Sequence, residues 1–385
     1  MVNCMYSPHF DLLTLFLYVF VGLFCMFYVK QVKFGYVFNR DTVKFPIRLY
    51  DVAFIFFLVI FAVSREVAYG IGGQDALNYK IIFENILFDS NRFLEQEQLF
   101  LFINILVRSF TDNYIVYFAL CYGIIALGYV LFIKEFAPKV ISFTPFILLV
   151  FPYLRSFNTM RSSIAIAVFL IGLVLLNRKK TKWAIIILLS TFFIHRMSIL
   201  YIAFLPFYFF SQKFDILKNN RLYWGLFIYI PLAYLFALHM QDYMSVSDLV
   251  NEQDLYYVSA SRGENLFQRW PMLFPHIVLL LFLFKYNKKV LETYNCRMLM
   301  LLCIFDIIVM PSSLVLNMWR ATEYLYVARL IMWGMIIHIL LKNIHGFQKN
   351  IIHLVSLIVF ASWLVFRICS EWDDAKLMPY ILNWF

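Results

Sequence analysis

Hydrophobic positions in this chain form long continuous runs and do not alternate with polar positions. A helix of about 20 apolar residues crosses the hydrocarbon core of a bilayer. Because lipid admits only helices or closed barrels, and barrel strands alternate in polarity, the continuous runs predict helices. We place the predicted transmembrane segments at residues 10–28, 48–64, 113–133, 141–154, 160–176, 183–194, 197–211, 222–238, 271–286, 298–317, 322–341 and 351–368. The predicted fold class is all-α, a polytopic integral membrane protein with about 12 transmembrane helices.

Two features of the pattern refine this architecture. Residues 97–110 are apolar but too short to cross a bilayer comfortably, so we predict an in-plane or re-entrant helix there. The first run, 10–28, lacks a basic start and a small-residue cleavage site, which favours a retained span over a signal peptide. Of the 385 residues, 63% are hydrophobic and 15% are charged. This composition excludes a soluble catalytic domain and predicts a single membrane domain over residues 1–385.

The basic residues predict the orientation of the segments. Most of them lie in connections that fall on one side of the membrane, at residues 30–48, 134–139, 178–182, 213–221, 285–297 and 342–349. Connections rich in lysine and arginine stay in the cytoplasm. Both termini and two long loops, 65–97 and 239–270, are then expected on the outer, periplasmic side.

Lysine and arginine are distributed differently between the two sides. Of the 17 lysines, 15 lie in the cytoplasmic connections, whereas 11 of the 16 arginines lie outside or within the membrane. The positive-inside rule counts the two residue types alike and cannot produce this difference. Arginine has a planar, always-charged fork that matches phosphate. The distribution therefore predicts an anionic ligand at the outer leaflet.

The sequence RSFNTMRSS, residues 155–163, is the first candidate site. Asn158 can cap the helix that follows it, which puts Arg161 in the first turn. A cation there opposes the helix dipole unless an anion lies between it and the helix N-terminus. We predict that Arg161 binds such an anion, with support from Arg155. The alternative is that both arginines extend to the lipid interface.

The sequence NMWRATEYLYVARLIMWG, residues 317–334, is the second candidate. Arg320 and Tyr324 are four residues apart and would share one helix face toward a ligand. If this helix begins directly after Arg320, Arg329 lies about 12 Å along it. A charge at that depth is a functional candidate. For Arg329, ligand binding and an ion pair with Asp306 in the preceding segment both remain open.

A histidine at the predicted outer boundary is the third candidate. His195 lies in the turn between segments 183–194 and 197–211, where it can titrate near neutral pH and act as a base. The neighbouring Arg196 can support the anion. A hydrogen-bonded turn histidine is the alternative.

The two outer loops carry further candidates. In the first loop, residues 70–73 contain three glycines, which allow a tight turn before a helix on which Asp75, Tyr79 and Phe83 would share one face. Asp75 and Glu97 are candidate acid–base or sugar-hydroxyl groups. An ordinary solvated loop is the alternative. In the second loop, Arg262 lies among aromatic residues and carboxylates, a combination that suits sugar binding.

The chain has six scattered cysteines and no recognisable metal motif, so we expect neither a metal nor another cofactor. Its basic charge lies in short loops, so we expect no nucleic acid as a partner.

These motifs together resemble the EpsG/Wzy-type polysaccharide polymerase family over about residues 60–385. The matching stretches are GGQDALNYKIIFENI, EQLFLFINILV, NTMRSSIAIAV, FFIHRMSIL, WRATEYL and MPYILNWF. The residues that carry the pattern are Gly73, Asp75, Tyr79, Phe83, Glu97, Asn158, Arg161, His195, Arg320, Tyr324, Pro379 and Tyr380.

The resemblance implies an O-antigen or exopolysaccharide polymerase of the bacterial inner membrane. Such enzymes are similar to GT-C glycosyltransferases and use undecaprenyl-pyrophosphate-linked oligosaccharides at the periplasmic face, usually without a metal. It also suggests a chain-length regulator protein as a partner, besides membrane lipid. Two alternatives remain open at this point: a ligase for lipid-linked glycans, and a flippase or transporter of lipid-linked sugars.

Overall fold

The computed structural model describes most of the chain as α-helix. The described residues are 11–38, 47–69, 71–73, 75–88, 96–137, 142–213, 216–244, 266–294, 296–315, 323–342, 344–371 and 377–382. Their α-helices, in chain order, are α1 Leu12–Phe38, α2 Leu49–Val63, α3 Ala76–Asn85, α4 Gln98–Arg108, α5 Tyr114–Phe136, α6 Val150–Arg155, α7 Met160–Asn177, α8 Thr181–Ser190, α9 Ile199–Ile202, α10 Phe204–Lys213, α11 Asn220–Met244, α12 Leu266–Tyr294, α13 Arg297–Val315, α14 Tyr326–Leu341 and α15 Gly346–Glu371. Short 3₁₀ helices lie at Thr144–Leu149, Thr191–Phe193, Arg196–Ser198 and Ile216–Lys218.

Length and composition identify the strongest candidates for membrane crossing. In the described part of the chain, helices of sufficient length and apolarity are Leu12–Val32, Tyr114–Phe136, Met160–Asn177 and Gly346–Cys369. The all-helical, membrane-protein prediction is confirmed, and the number of about 12 crossings stays a prediction. The chain forms two compact units, Met1–Ile199 with Gly334–Phe385 and Leu200–Trp333.

In the first unit, helix α5 packs against α2 and α7, and α7 packs against α8. A Cβ added at Gly128 of α5 would lie 2.7 Å from Ala167 of α7, so the missing side chain lets these backbones approach closely. Small residues serve this purpose where apolar helices have no hydrophobic driving force to associate in lipid. The start of α5 is fixed by Asn113, whose side chain accepts a hydrogen bond from the amide of Ile115 at 2.9 Å.

In the second unit, helix α13 packs against α10, α11 and α12. The hydroxyl of Tyr229 in α11 donates to the carbonyl of Ile308 in α13 at 2.9 Å. This carbonyl lies in the turn directly before Pro311, which is inside the helix. A proline removes the hydrogen bond to the carbonyl four residues earlier, here that of Ile307, and its ring disturbs this turn. A side-chain donor from a neighbouring helix can therefore serve the adjacent Ile308 carbonyl.

Two predicted elements differ from those observed, and a third is present. The segment predicted at 197–211 is interrupted at Ala203, between α9 and α10. The segment predicted at 322–341 begins as an α-helix only at Tyr326, so Tyr324 lies in the preceding turn and Arg329 in the first turn of α14. The short helix predicted within 97–110 is present as α4, whose 11 residues cover about 16 Å, too little to cross a bilayer.

Candidate functional site

The first turn of α7 carries the centre of the candidate site. Arg161 is the second residue of α7, as predicted, and its Nη1 lies 2.7 Å from Glu97 Oε2. Nη1 also donates to the side-chain oxygen of Gln96. The contact with Glu97 is an ion pair without a well-directed hydrogen bond, because Oε2 has no hydrogen-bond partner in the described chain. A protein carboxylate therefore neutralises the cation that opposes the α7 dipole.

The same carboxylate connects α7 to the turn that contains the histidine. Glu97 Oε1 accepts a hydrogen bond from the backbone amide of Arg196 at 3.1 Å. His195 directly precedes this amide and is buried, at 5% exposure. It lies between the 3₁₀ helices Thr191–Phe193 and Arg196–Ser198, so the predicted turn is present. Glu97 thus brings Arg161 and the His195–Arg196 turn to one place in the fold.

The loop before α3 is attached to the segment before α7. The side-chain oxygen of Asn158 accepts a hydrogen bond from the backbone amide of Asp75 at 2.7 Å. The prediction that Asn158 caps the following helix is wrong: α7 begins at Met160 after Thr159, and the Asn158 side chain holds the Asp75 loop instead. Asp75 itself is the residue that precedes α3.

Two glycines allow this loop to come close to the segment before α7. Gly72 and Gly73 have φ values of +77° and +107°, in the left-handed region that disfavours side chains. A Cβ at Gly73 would lie 2.5 Å from the carbonyl oxygen of Phe157. The tight turn predicted from the glycines is therefore present at both of these positions.

Aromatic rings line the contact between α3 and α4. Tyr79 of α3 packs edge-on against Phe100 of α4, with ring centroids 5.9 Å apart. The guanidinium of Arg161 lies 5.9 Å from the centroid of the same Phe100 ring. Tyr79 and Phe83 lie one turn apart in α3, as predicted, and both are buried. Phe100 consequently contacts both Tyr79 and the Arg161 side of the ion pair and positions the two.

Arg155 lies at the end of α6 and is 8% exposed. Its guanidinium lies 5.4 Å from the ring centroid of Phe151, one turn earlier. Arg367 of α15 lies 4.7 Å from the same ring. The predicted support of Arg155 for a common ligand with Arg161 stays a prediction.

The second unit contains a separate buried ion pair. Arg329 donates from Nε to Asp306 Oδ2 at 2.8 Å and from Nη2 to Oδ1 at 3.1 Å. His276 Nε2 lies 3.1 Å from Asp306 Oδ2. Of the two alternatives for Arg329, the geometry supports the ion pair with Asp306. The participation of His276 was not predicted, because nothing in the sequence relates a residue of α12 to Asp306.

The remaining predicted residues divide into one that is described and two that are not. Tyr324 is fully buried and stacks on Tyr201, with centroids 4.3 Å apart and the rings 8° from parallel. Its predicted place on a helix face with Arg320 is wrong, since Tyr324 precedes α14. Arg320 and Arg262 lie outside the described residues.

The sequence interpretation missed Arg65, the largest fully buried side chain of the described chain. Its signal was an arginine directly after an apolar segment and seven residues before Gly72.

In the described ranges, no group of three or more histidine, cysteine, aspartate or glutamate side chains could hold a metal ion.

Comparison with known families matches residues 50–382 to the EpsG family. Because the match covers most of the chain, this protein belongs to the EpsG family, as the motifs predicted. Membership indicates a membrane protein of polysaccharide polymerisation in general. No curated protein and no solved structure matches the chain.

Proposed function

We propose that this protein is a polysaccharide polymerase of the bacterial inner membrane. The donor is a glycan chain on undecaprenyl pyrophosphate, and the acceptor is a lipid-linked repeat unit at the periplasmic face. The acceptor hydroxyl attacks the anomeric carbon of the donor, a new glycosidic bond forms, and the bond to undecaprenyl pyrophosphate breaks. The hydroxyl proton passes to a base, and the negative charge develops on the leaving pyrophosphate.

The incompletely bonded guanidinium of Arg161 is the observation that carries this proposal. Its contacts with Gln96 and Glu97 both use Nη1. Its Nε is buried and has no hydrogen-bond partner within the described part of the chain, whereas the side chain as a whole is 22% exposed. A guanidinium with donors remaining, in the first turn of a helix, suits a phosphate group. Developing charge on the leaving group is stabilised best by such a donor already in place.

His195 is our choice for the base, with Asp75 as the rival. A catalytic base must be able to accept a proton near the operating pH, which histidine does without a large pKa shift. Glu97 is the weaker of the predicted bases, since one oxygen faces Arg161 and the other accepts from the Arg196 amide. Glu97 then serves to hold Arg161 and the His195 turn together. Arg196, Arg155, Arg320 and Arg262 are proposed to support the anion, and Tyr79 and Tyr324 to shape the glycan site.

The test is a reconstitution with purified protein in detergent or liposomes and lipid-linked repeat units as the substrate. We expect a ladder of products that grows by whole repeat units, with undecaprenyl pyrophosphate released. A ladder formed without any other protein excludes a pure transporter. Transfer to a different acceptor without chain growth identifies a ligase, and no transfer to either acceptor contradicts the proposal.

A further inference from the structure

Arg65 is a buried cation whose hydrogen-bond partners among the described residues are all uncharged. It is 2% exposed and directly follows Ser64, the residue that ends α2. Its Nε donates to the carbonyl of Gly72 at 2.8 Å, its Nη2 donates to the hydroxyl of Tyr122 at 2.7 Å, and its Nη1 donates to the carbonyl of Ala62. All three nitrogens are used within the protein, so Arg65 is not one of the arginines available to an anionic ligand.

The ring of Phe157 covers the face of this guanidinium. The distance from the Arg65 carbon Cζ to the ring centroid is 4.0 Å, which is a close cation–π contact. The hydroxyl of Tyr122 continues the chain of bonds to the carbonyl of Ser156 at 3.3 Å. Arg65 therefore donates a hydrogen bond to Gly72 in the loop, packs against Phe157, and reaches the carbonyl of Ser156 through the Tyr122 hydroxyl.

These contacts converge on the loop that carries Asp75. Gly73 approaches the Phe157 carbonyl, and the Asp75 amide bonds to Asn158, one residue further along. The loop is thus fixed through Arg65 at Gly72, and it contacts the segment that leads into α7 directly at Gly73 and Asp75. The bond from Arg65 to Gly72 is the one of these that depends on a charged side chain.

The C-terminal segment, residues 377–382, forms hydrogen bonds with Ser64 and Glu66, the residues on either side of Arg65 in the chain. The Tyr380 hydroxyl shares a hydrogen bond with the hydroxyl of Ser64 at 2.9 Å, and its ring stacks on Phe61 with centroids 5.0 Å apart. The amide of Glu66 donates to the carbonyl of Ile381 at 2.7 Å. A single antiparallel bridge also pairs Arg65 with Leu382.

We infer that Arg65 and the C-terminal segment are positioning elements for the loop that carries Asp75, and this inference rests on the proposed function. Arg65 fixes the distance between Asp75 and the Arg161 end of α7, and Tyr380 fixes Arg65. Neither residue touches substrate. Their effect on the reaction comes from alignment, and a displacement of about 1 Å at reacting groups can slow a reaction by about 100-fold.

Hydrogen–deuterium exchange in the absence of substrate tests the structural half of the inference. The amides of Glu66 and Asp75 are hydrogen-bonded and report on the loop directly. We expect Arg65→Lys to speed exchange in peptides from 66–79, since lysine cannot serve three acceptors in one plane. Tyr380→Phe should speed it less. Helix α8 has no contact with Arg65 among those described and is the internal reference, so its exchange should not change.

Ile381→Ala is the matched control for the C-terminal segment. The Ile381 side chain is exposed, and only its backbone carbonyl takes part in the contact, so alanine keeps the bond to Glu66. This variant should show wild-type exchange in 66–79. Unchanged exchange in both Arg65→Lys and Tyr380→Phe overturns the inference, whatever the protein's activity.

Steady-state kinetics in the reconstituted assay test the functional half. For Arg65→Lys we expect kcat to fall at least about tenfold while KM for the lipid-linked unit changes less than about threefold, because alignment is lost and the anion contact is kept. Tyr380→Phe should give a smaller fall in kcat, and Ile381→Ala none. If Arg65→Lys speeds exchange in peptides 66–79 but keeps the wild-type kcat, the positioning role is overturned. Absence of polymer from the wild type contradicts the proposed function alone, since the exchange results stand without it.

Discussion

Two arginine–carboxylate pairs, one in each unit, use the same residue types in different ways. Arg161 and Arg329 both lie in the first turn of a long apolar helix. Arg329 meets Asp306 through two parallel hydrogen bonds, and their side chains are 11% and 2% exposed. Arg161 meets Glu97 through one nitrogen, and its side chain is 22% exposed.

We call the Arg329–Asp306 pair closed, because two hydrogen bonds join its side chains, and the Arg161–Glu97 pair open, because only one guanidinium nitrogen contacts the carboxylate. A bidentate contact matches both carboxylate oxygens with the guanidinium fork, and His276 adds a third contact to Asp306. The single contact of Arg161 leaves Nε without a hydrogen-bond partner among the described residues. We therefore propose that the Asp306 pair contributes to stability and that the Arg161 pair binds the ligand.

Arg329→Ala should have the largest effect, and it should be on stability. The substitution leaves the Asp306 carboxylate buried without its bidentate partner, which costs about 3–5 kcal/mol of unfolding free energy. Denaturation of the purified protein in detergent measures this cost. A variant within about 1 kcal/mol of wild type would show that the pair is not closed.

A double substitution provides the control for that experiment. Replacing a buried ion pair with apolar residues of similar volume is often neutral, because the cost of desolvating two charges disappears with them. Asp306→Leu combined with Arg329→Met should recover most of the lost stability. A double variant as unstable as Arg329→Ala would mean that the two residues have separate roles.

Arg161→Ala should have the next largest effect, and it should be on activity. Loss of one preorganised donor to a developing anion slows catalysis by about 100- to 1000-fold. Membrane insertion should stay normal. The loss of unfolding free energy should be smaller than in Arg329→Ala, because Glu97 is buried and loses its cation but keeps its bond from the Arg196 amide. Product ladders and protein levels measure the two quantities in the same preparation. Normal-length polymer from this variant would remove Arg161 from the site.

The contrast between the two pairs was only partly predictable from the sequence. Asp306 could be named as a partner of Arg329 because both charges lie in adjacent apolar segments, where an unpaired charge is costly. Glu97 could not be named as the partner of Arg161, since helices α4, α5 and α6 lie between them along the chain. Only the tertiary packing of the chain brings these two charges together.

Local sequence patterns predicted most helices and turns correctly but did not predict hydrogen bonds between residues that are distant in the chain. The apolar runs predicted most helices, and the glycines predicted the turn before Asp75. Asn158 has the residue type of a helix cap, yet its side chain bonds to the Asp75 amide from a different part of the chain. A tertiary hydrogen bond replaced the local one, and no sequence spacing encodes that choice.

Arg161→Lys tests whether the open pair needs the shape of arginine. Lysine keeps the charge but loses the planar guanidinium fork, which we propose binds a phosphate group beside Glu97. We expect polymer formation to fall about tenfold, which corresponds to about 1.4 kcal/mol. The matched substitution Arg329→Lys should lower stability and leave the rate per folded molecule unchanged. Full activity of Arg161→Lys would mean that charge alone is sufficient.

Glu97→Gln should have the smallest effect and distinguishes an ion-pair partner from a base. Glutamine has nearly the same shape, and its side-chain oxygen can still accept from the Arg196 amide, so the turn at His195 should stay in place. If Glu97 only holds Arg161, the rate should change by a few-fold, since a single partly exposed ion pair contributes about 1 kcal/mol or less. Single-turnover assays with the lipid-linked unit measure this change.

A fall of about 100-fold with normal binding would instead make Glu97 the base, because removing a general base typically costs that much. Glu97→Ala serves as the comparison, since it also leaves the Arg196 amide without its acceptor and should be the slower of the two variants.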